Sequence, residues 1–387
     1  MDTLFALSDR PGRLARQRVA APVSGRYRCR CGRPIFFRNS RCLGCGAELG
    51  FEPTRLRLFA LVPGPVGPAG ATWRLSGAGA RSRLYRRCAN YDSPAGCNWL
   101  VPISDHSRLC IACRLNRTIP DLSMPENGEW WRRIETAKRR LVAQLLSLGL
   151  PVVPRTGEDA ERGIAFDFLR APEGEPTVIT GHASGVITLN VEEADDARRE
   201  AIRTAMGEPY RTLLGHFRHE IGHYYWDRLV RDTPWLEDFR RLFGDERRDY
   251  GEALRLHYEQ GPPADWSSRH VSAYAASHPW EDWAETWAHY LHMADTVHTA
   301  IGFGLDTEQL ESEIEPFGRD ALFVHDHPQA ERFLNFLNAW VELTTVFNEL
   351  SRCMGQQDFY PFVLPAPVVM KLHFIDLVVR SQYEEIP

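Results

Sequence analysis

The sequence predicts an α+β protein: a mainly helical C-terminal domain with a small sheet, preceded by small β modules organised around cysteine. Three observations predict it. Eight of the nine cysteines fall between positions 29 and 113. Short apolar runs with strand character sit before residue 190, and beyond about residue 193 apolar residues recur at helical spacing. A length of 387 residues allows two or three domains, and 43% hydrophobic residues is ordinary for a globular chain. No run approaches the ~18 apolar residues of a membrane helix, so a soluble protein with no membrane partner is expected.

Taken in order, residues 1–22 read as a flexible tail. The first twenty residues are Arg-rich and lack the apolar core of a signal peptide, which points to a cytoplasmic, reducing setting. Residues 23–52 carry Cys29, Cys31, Cys42 and Cys45 in the pattern C-x-C-x10-C-x2-C, closing on CLGCG. That is the shape of a zinc-ribbon knuckle, with one residue rather than the usual two between the first pair. Residues 53–122 form a β-rich linker and a second four-cysteine module. The linker holds GPVGPAGA, a turn or hairpin loop; the module holds Cys88, Cys97, Cys110 and Cys113, with His106 as a spare ligand. Two structural zinc ions are expected, on thiolates rather than disulfides.

Residues 123–387 make the last domain. WWRRIETAKRRLVAQLLSLGL is an amphipathic helix with Ile134, Lys138, Leu141, Leu145 and Leu148 at helical spacing, and Lys138 is expected at the edge of the apolar stripe. IAFDFL and TVITGHASGVITLN read as strands, the second a hairpin turning at His182-Ala183-Ser184-Gly185. Helices follow at roughly 193–206, 209–231, 235–256, 280–298, 308–315, 329–353 and 366–384. Cys353 is expected as a free buried thiol.

The chemistry concentrates in LLGHFRHEIGHYYWD. At 100° per residue His219 and His223 lie about 40° apart with Glu220 beside them, so two imidazoles and a carboxylate share one helix face. That pattern lets two His hold zinc while Glu polarises a water. The flanks Leu213, Leu214, Phe217, Ile221, Tyr224, Tyr225, Leu229 and Val230 read as a largely buried helix, where polar groups need partners. Gly222 in mid-helix costs about 1 kcal/mol relative to Ala and implies that something passes close to the backbone there. A catalytic zinc takes three protein ligands, and the segment from Val271 to His292 is the best source of the third. There Pro279 opens a helix on which Glu281 and Glu285 share a face. Asp227, one turn past His223, suits a ligand, a supporting carboxylate or a cap; His216, His289 and His292 read as packed or exposed aromatics.

HExxH followed by Y-x6-E-x2-A-E resembles the gluzincin arrangement of the anthrax lethal factor type of metallopeptidase. The resemblance implies that His219, His223 and Glu281 are the ligands of a catalytic zinc, Glu220 the general base and Tyr274 the donor to the oxyanion. Glu285 would stand behind the ligands and orient a histidine. Nearly the whole chain resembles bacterial zinc-binding metallopeptidases with an N-terminal zinc ribbon, through CGRPIFF, CLGCG, CNWLVP, IPDLS, ITLN, YRTLLGHFRHEIGHYYWD and HPWEDWAETWAHYLH. This implies a zincin-like domain, hydrolysis of a protein or peptide substrate, and Val186 to Asn190 as an edge strand that pairs with it.

Charge adds a further expectation. Residues 1–120 hold 20 Arg and no Lys against 6 Asp and Glu, a net of +14; the remainder holds 26 basic and 45 acidic residues, a net of −19. An acidic partner, nucleic acid or the chain's own acidic domain would each match the basic half. The alternatives to a protease with recruiting ribbons are therefore a nucleic-acid-directed, SprT-like protease, and a ribbon adaptor with an inactive zincin domain.

Overall fold

The computed structural model describes residues 26–67, 70–172, 174–205, 211–307, 310 and 314–384. The expected tail at 1–22 lies outside them, as does most of the helix expected at 308–315. Two compact units emerge, Ala21–Phe217 and Arg218–Pro387.

In the first unit, β1 (Tyr27–Arg28) pairs antiparallel with β2 (Pro34–Ile35). A five-stranded antiparallel meander follows in chain order: β3 (Leu49–Glu52), β4 (Arg57–Pro63), β5 (Trp73–Leu75), β6 (Tyr85–Arg87) and β7 (Leu100–Pro102). GPVGPAGA lies in the β4–β5 connection, which Gly64 closes with a bond from its N–H to the Thr72 carbonyl. Leu61, Leu75, Tyr85 and Leu100 form one core beneath this sheet. Glu52 is wholly buried yet satisfied, its carboxylate accepting from the Thr54 hydroxyl and the Arg55 N–H.

After a single turn, α1 (Ile111–Arg114), come β8 (Asn116–Thr118), α2 (Pro125–Ser147), β9 (Ala165–Leu169), β10 (Gly181–Ala183) and β11 (Val186–Asn190). They build a sheet in the order β10-β11-β9-β8, antiparallel at β10–β11 and parallel elsewhere. Val186–Asn190 is thus an interior strand, not the expected edge. The hairpin itself is the reason: Ser184 and Gly185 adopt φ of 48° and 81°, a tight turn that folds Gly181–Ala183 onto the free side of β11. Lys138 is also displaced from expectation, being fully buried in α2 rather than at its edge. Its Nζ bonds Glu135 at 2.6 Å and Asn116, and it lies over the rings of Phe166 and Phe168. α3 (Asp196–Ala205) and the first residues of α4 (Leu213–Leu229) complete the unit.

The α-helices among the described residues of the second unit are the remainder of α4, then α5 (Trp235–Phe243), α6 (Tyr250–Gln260), α7 (Pro279–Gly302), α8 (Ala330–Cys353) and α9 (Ala366–Glu384). The single helix expected at 235–256 is two. Gly244, at φ 104°, ends α5, and the Asp249 side chain caps α6 by accepting from the Glu252 N–H. Cys353 is exposed rather than buried, because the buried stripe of α8 runs out at Thr344, more than two turns earlier.

The core of this unit is α7, whose Trp283, Trp287 and Leu291 are fully buried. It crosses α4 at Gly222. A Cβ at that position would lie 3.1 Å from the Ala284 Cα and 3.2 Å from the Trp287 ring, and the Trp283 Nε1–H donates to the Gly222 carbonyl at 2.8 Å. Gly222→Ala is therefore expected to destabilise the protein by up to about 2 kcal/mol. An overpacking cost of about 1–3 kcal/mol exceeds the helix-propensity gain of about 1 kcal/mol. A lowered urea midpoint at unchanged slope is the expected result; a raised midpoint would mean that the helices part freely.

Candidate metal centres

His219, Glu220 and His223 lie on α4, and Glu281 and Glu285 lie one turn apart at the start of α7. That start is well defined. Pro279 occupies the first helical position, and His278 caps it, its Nδ1 accepting from the Trp280 N–H while its Nε2–H donates to the Arg248 carbonyl at 3.1 Å.

The crossing at Gly222 brings the two sets face to face. His219 Nε2 is 3.0 Å from Glu281 Oε2, and His223 Nε2 is 3.5 Å from Glu281 Oε1. The three donor atoms all lie within 4.8 Å of one another. Two ligand atoms about 2.0–2.1 Å from a tetrahedral zinc stand roughly 3.4 Å apart, so these separations suit a shared ion. Glu281 Oε2 is buried and faces the His219 nitrogen at 3.0 Å, and such a carboxylate oxygen is costly to bury unless a cation, an imidazolium or a metal, meets it. Two imidazoles and one carboxylate are also a donor set that zinc accepts, and three ligands leave a coordination position open.

Glu285 does not join the cluster; it stands behind it. An ionised carboxylate only accepts, so the His219 Nδ1–H donates to Glu285 Oε1 at 2.7 Å, which turns Nε2 toward Glu281. The second oxygen of Glu285 accepts from the Ser272 hydroxyl at 2.6 Å. Burial opposes charge throughout, but the two carboxylates win at His219, holding its imidazole well above the usual histidine range. Glu281, buried to 1% exposure, is in turn held well below the usual carboxylate range by His223 and His219. The field between these groups favours positive charge.

Tyr274 sits in a single 3-10 turn, Tyr274–Ala276, its ring 5.9 Å from that of His219. Burial first, then the charge of Glu281, pushes its hydroxyl well above the usual tyrosine range, so it remains a donor. Glu220 is buried, and its charge is felt by both Tyr274 and Tyr250. Asp227 is not brought into the cluster; it pairs with Arg231 at 2.7 Å. His216 meets Glu193, His289 bonds the Tyr360 hydroxyl and His292 bonds Arg218.

Two residues at this site were not anticipated from sequence. Tyr250 donates to Glu281 Oε1 at 2.7 Å, and Ser272 orients Glu285. The signal for Tyr250 was the capping pattern Asp249-x-x-Glu252, which starts a helix at that residue. For Ser272 no local signal exists.

The cysteines gather as two sets of four, Cys29, Cys31, Cys42, Cys45 and Cys88, Cys97, Cys110, Cys113. Sulfur separations of 3.6 Å for Cys29–Cys45, 3.8 Å for Cys31–Cys42 and 3.6 Å for Cys97–Cys110 exclude disulfides. They match the roughly 3.8 Å edge of a tetrahedron with zinc–sulfur bonds of about 2.3 Å. In the first set, backbone N–H groups of Cys45 and Gly44 draw the Cys42 thiol down to about 6. The second set is wholly buried, with Arg139 of α2 close enough to feel the charge of Cys97, Cys113 and Cys110. His106 is exposed and stands outside that set.

An α+β chain with two S4 sets and one N2O set of ligands is a zinc-binding protein by its donor chemistry. The chain belongs to the family described as "Putative zinc-binding metallo-peptidase", whose model matches residues 127–378, and a zinc-ribbon domain model matches residues 26–124. It is 43% identical over 350 residues, covering 90% of this chain and 93% of each relative, to uncharacterized proteins of Mycobacterium bovis and Mycobacterium tuberculosis. No solved structure matches the chain.

Removing the Tyr250 hydroxyl frees one oxygen of Glu281 without touching a ligand. Tyr250→Phe is expected to weaken zinc binding at the N2O site ten- to hundredfold, read by chelator competition, while the circular dichroism spectrum stays unchanged. Unaltered affinity would show that Glu281 is held by the helices alone.

Proposed function

We propose that the protein is a gluzincin-type zinc peptidase that hydrolyses peptide bonds of a protein substrate in the reducing cytoplasm. It would use one catalytic zinc at His219, His223 and Glu281 and two structural zinc ions on the cysteine sets. The observation that carries the reading is the N2O cluster with Glu285 on the outer nitrogen of His219, a ligand set and its support from two crossing helices.

When bound, the ion supplies Lewis-acid activation of water and of the scissile carbonyl. Everything else falls to the chain. Glu220 takes the proton of the attacking water and passes it to the leaving amine. Tyr274 donates its hydroxyl proton as a hydrogen bond to the oxygen that gains charge as the carbonyl becomes tetrahedral. Glu285 and Tyr250 fix the ligands, so the site does not reorganise as charge develops. A domain retained only as a scaffold would have no need of Glu220 and Tyr274 beside the ligand cluster.

Metal analysis and turnover on a casein substrate test the scheme together. Wild type should carry three zinc ions per chain. Glu220→Gln should keep all three and lose activity at least about a hundredfold. Glu281→Ala should lose one. Full activity in the Glu220 variant would end the mechanism, and loss of zinc from Glu285→Ala but not from Glu281→Ala would reverse their roles.

A further inference from the structure

The positive charge of the N-terminal part is put to two different uses. Around the second cysteine set arginines are engaged with structure. Arg86 donates to the carbonyls of Asp105 and Ser107, Arg87 pairs with Glu48 at 2.5 Å and lies over Tyr91, and Arg114 reaches Asp105. Around the first set Arg28 donates to the Gly32 carbonyl, Arg41 meets Glu48 and Arg55 and Arg57 lie over Phe59, yet these contacts leave the guanidinium groups at the surface. All eight arginines between positions 26 and 57 are exposed, and the same stretch contains two acids. Of these, Glu52 is wholly buried in its turn, and Glu48 is already shared by Arg41 and Arg87.

Register places part of this charge on one side. Tyr27 pairs with Ile35 and both are buried, so Arg28, opposite Pro34, faces outward. Arg26, Arg30 and Phe36 flank these two strands and are exposed as well. Phe36 is 57% exposed, an aromatic ring that this side leaves uncovered. Arg33 extends across the knuckle, its Cδ 2.1 Å from where a Gly44 Cβ would stand, so the guanidinium stem caps CLGCG.

We propose that this outer side of the first zinc ribbon is a binding surface for single-stranded nucleic acid, with guanidinium groups on the phosphates and Phe36 as a stacking platform for a base. The uncovered Phe36 ring favours this partner over an acidic protein segment. The basic groups here are all arginine, whose planar fork matches phosphate bidentately and stacks on bases, and an exposed ring among cations is wasted on carboxylates. The surface stands or falls independently of the peptidase reading.

The test is fluorescence anisotropy of the full-length protein with a labelled single-stranded DNA of about 16 nucleotides. Raising salt from about 50 to 200 mM should weaken binding roughly fiftyfold for four phosphate contacts. The double variant Arg26→Glu, Arg28→Glu lies before the cysteine motif. It should keep its zinc, bind more weakly and show a shallower salt dependence. Phe36→Ala should lose about five- to a hundredfold in affinity with the salt dependence unchanged. Glu220→Gln should bind like wild type. Absence of binding at about 50 mM salt would overturn the proposal. So would a surface that ignores Phe36→Ala and is equally saturated by poly-glutamate, because that result assigns it to an acidic protein segment.

Discussion

The close crossing of α4 and α7 at Gly222 is the constraint on which the helical unit depends. Glycine removes the side chain that would hold the helices apart, and Trp283 fastens the crossing by donating into the Gly222 carbonyl. Because side chains on a helix lean toward its N-terminus, a crossing near Ala284 sets the first turn of α7 opposite the histidines. Glu281 and Glu285 then meet His219 from two heights, one at Nε2 and one at Nδ1. Had the helices been spaced by an ordinary alanine contact, a carboxylate could still approach one histidine. It could not bridge the pair while its neighbour supports the other ring nitrogen.

Burying so many charges is unfavourable unless each meets a partner, and the unit answers this locally. Arg218, the residue before the first ligand, bonds Asp295 at 2.7 Å and His292 at 2.7 Å, so α4 is tied to α7 a second time, beyond the site. Lys371 of α9 bonds Asp282 at 2.6 Å and the Arg269 carbonyl at 2.8 Å. Even with that cation against it, burial pushes Asp282 up to about 6. Such pairs add little net stability against apolar replacements, but they penalise every alternative register. Their value lies in geometry. Lys371 joins the chain just before Ser272 and Tyr274 to the helix that carries Glu281 and Glu285.

How much of this was legible depends on the range of the interaction. HEIGH, the start of α7 at Pro279 and the two cysteine sets are local patterns, and each was readable where it stands. Gly222 was readable as an anomaly, though its neighbour was not. The break between α5 and α6 was hidden by apolar residues that keep helical spacing across Gly244–Asp249; only the left-handed glycine and the Asp249 cap reveal it. That break is what delivers Tyr250 to Glu281. Lys138 defeats a stripe argument because Glu135 and Asn116, the second from a distant strand, satisfy its ammonium inside the core. Val186–Asn190 has the composition of a strand at either place in a sheet, and whether it is an edge depends on the three residues folded back beside it.

The three ligand sets differ in a way that follows from their donors. Four thiolates around a divalent ion close its coordination and leave a net negative charge, which the second set offsets with buried Arg139 and the first leaves to water and surface arginines. Closed sites of that kind hold chain segments together; the second joins the end of a meander to the turn that precedes β8. Two neutral imidazoles and one carboxylate would leave a bound zinc with positive charge and a free position, and so with the capacity to polarise what binds there. The first set shares its donors with the second but not its surroundings. Its Cys31 and Cys45 are exposed, and it sits within the most exposed concentration of arginine in the described chain. A ribbon needed only to brace the fold would gain nothing by turning its cations outward, where they repel one another; a ribbon that meets a polyanion would.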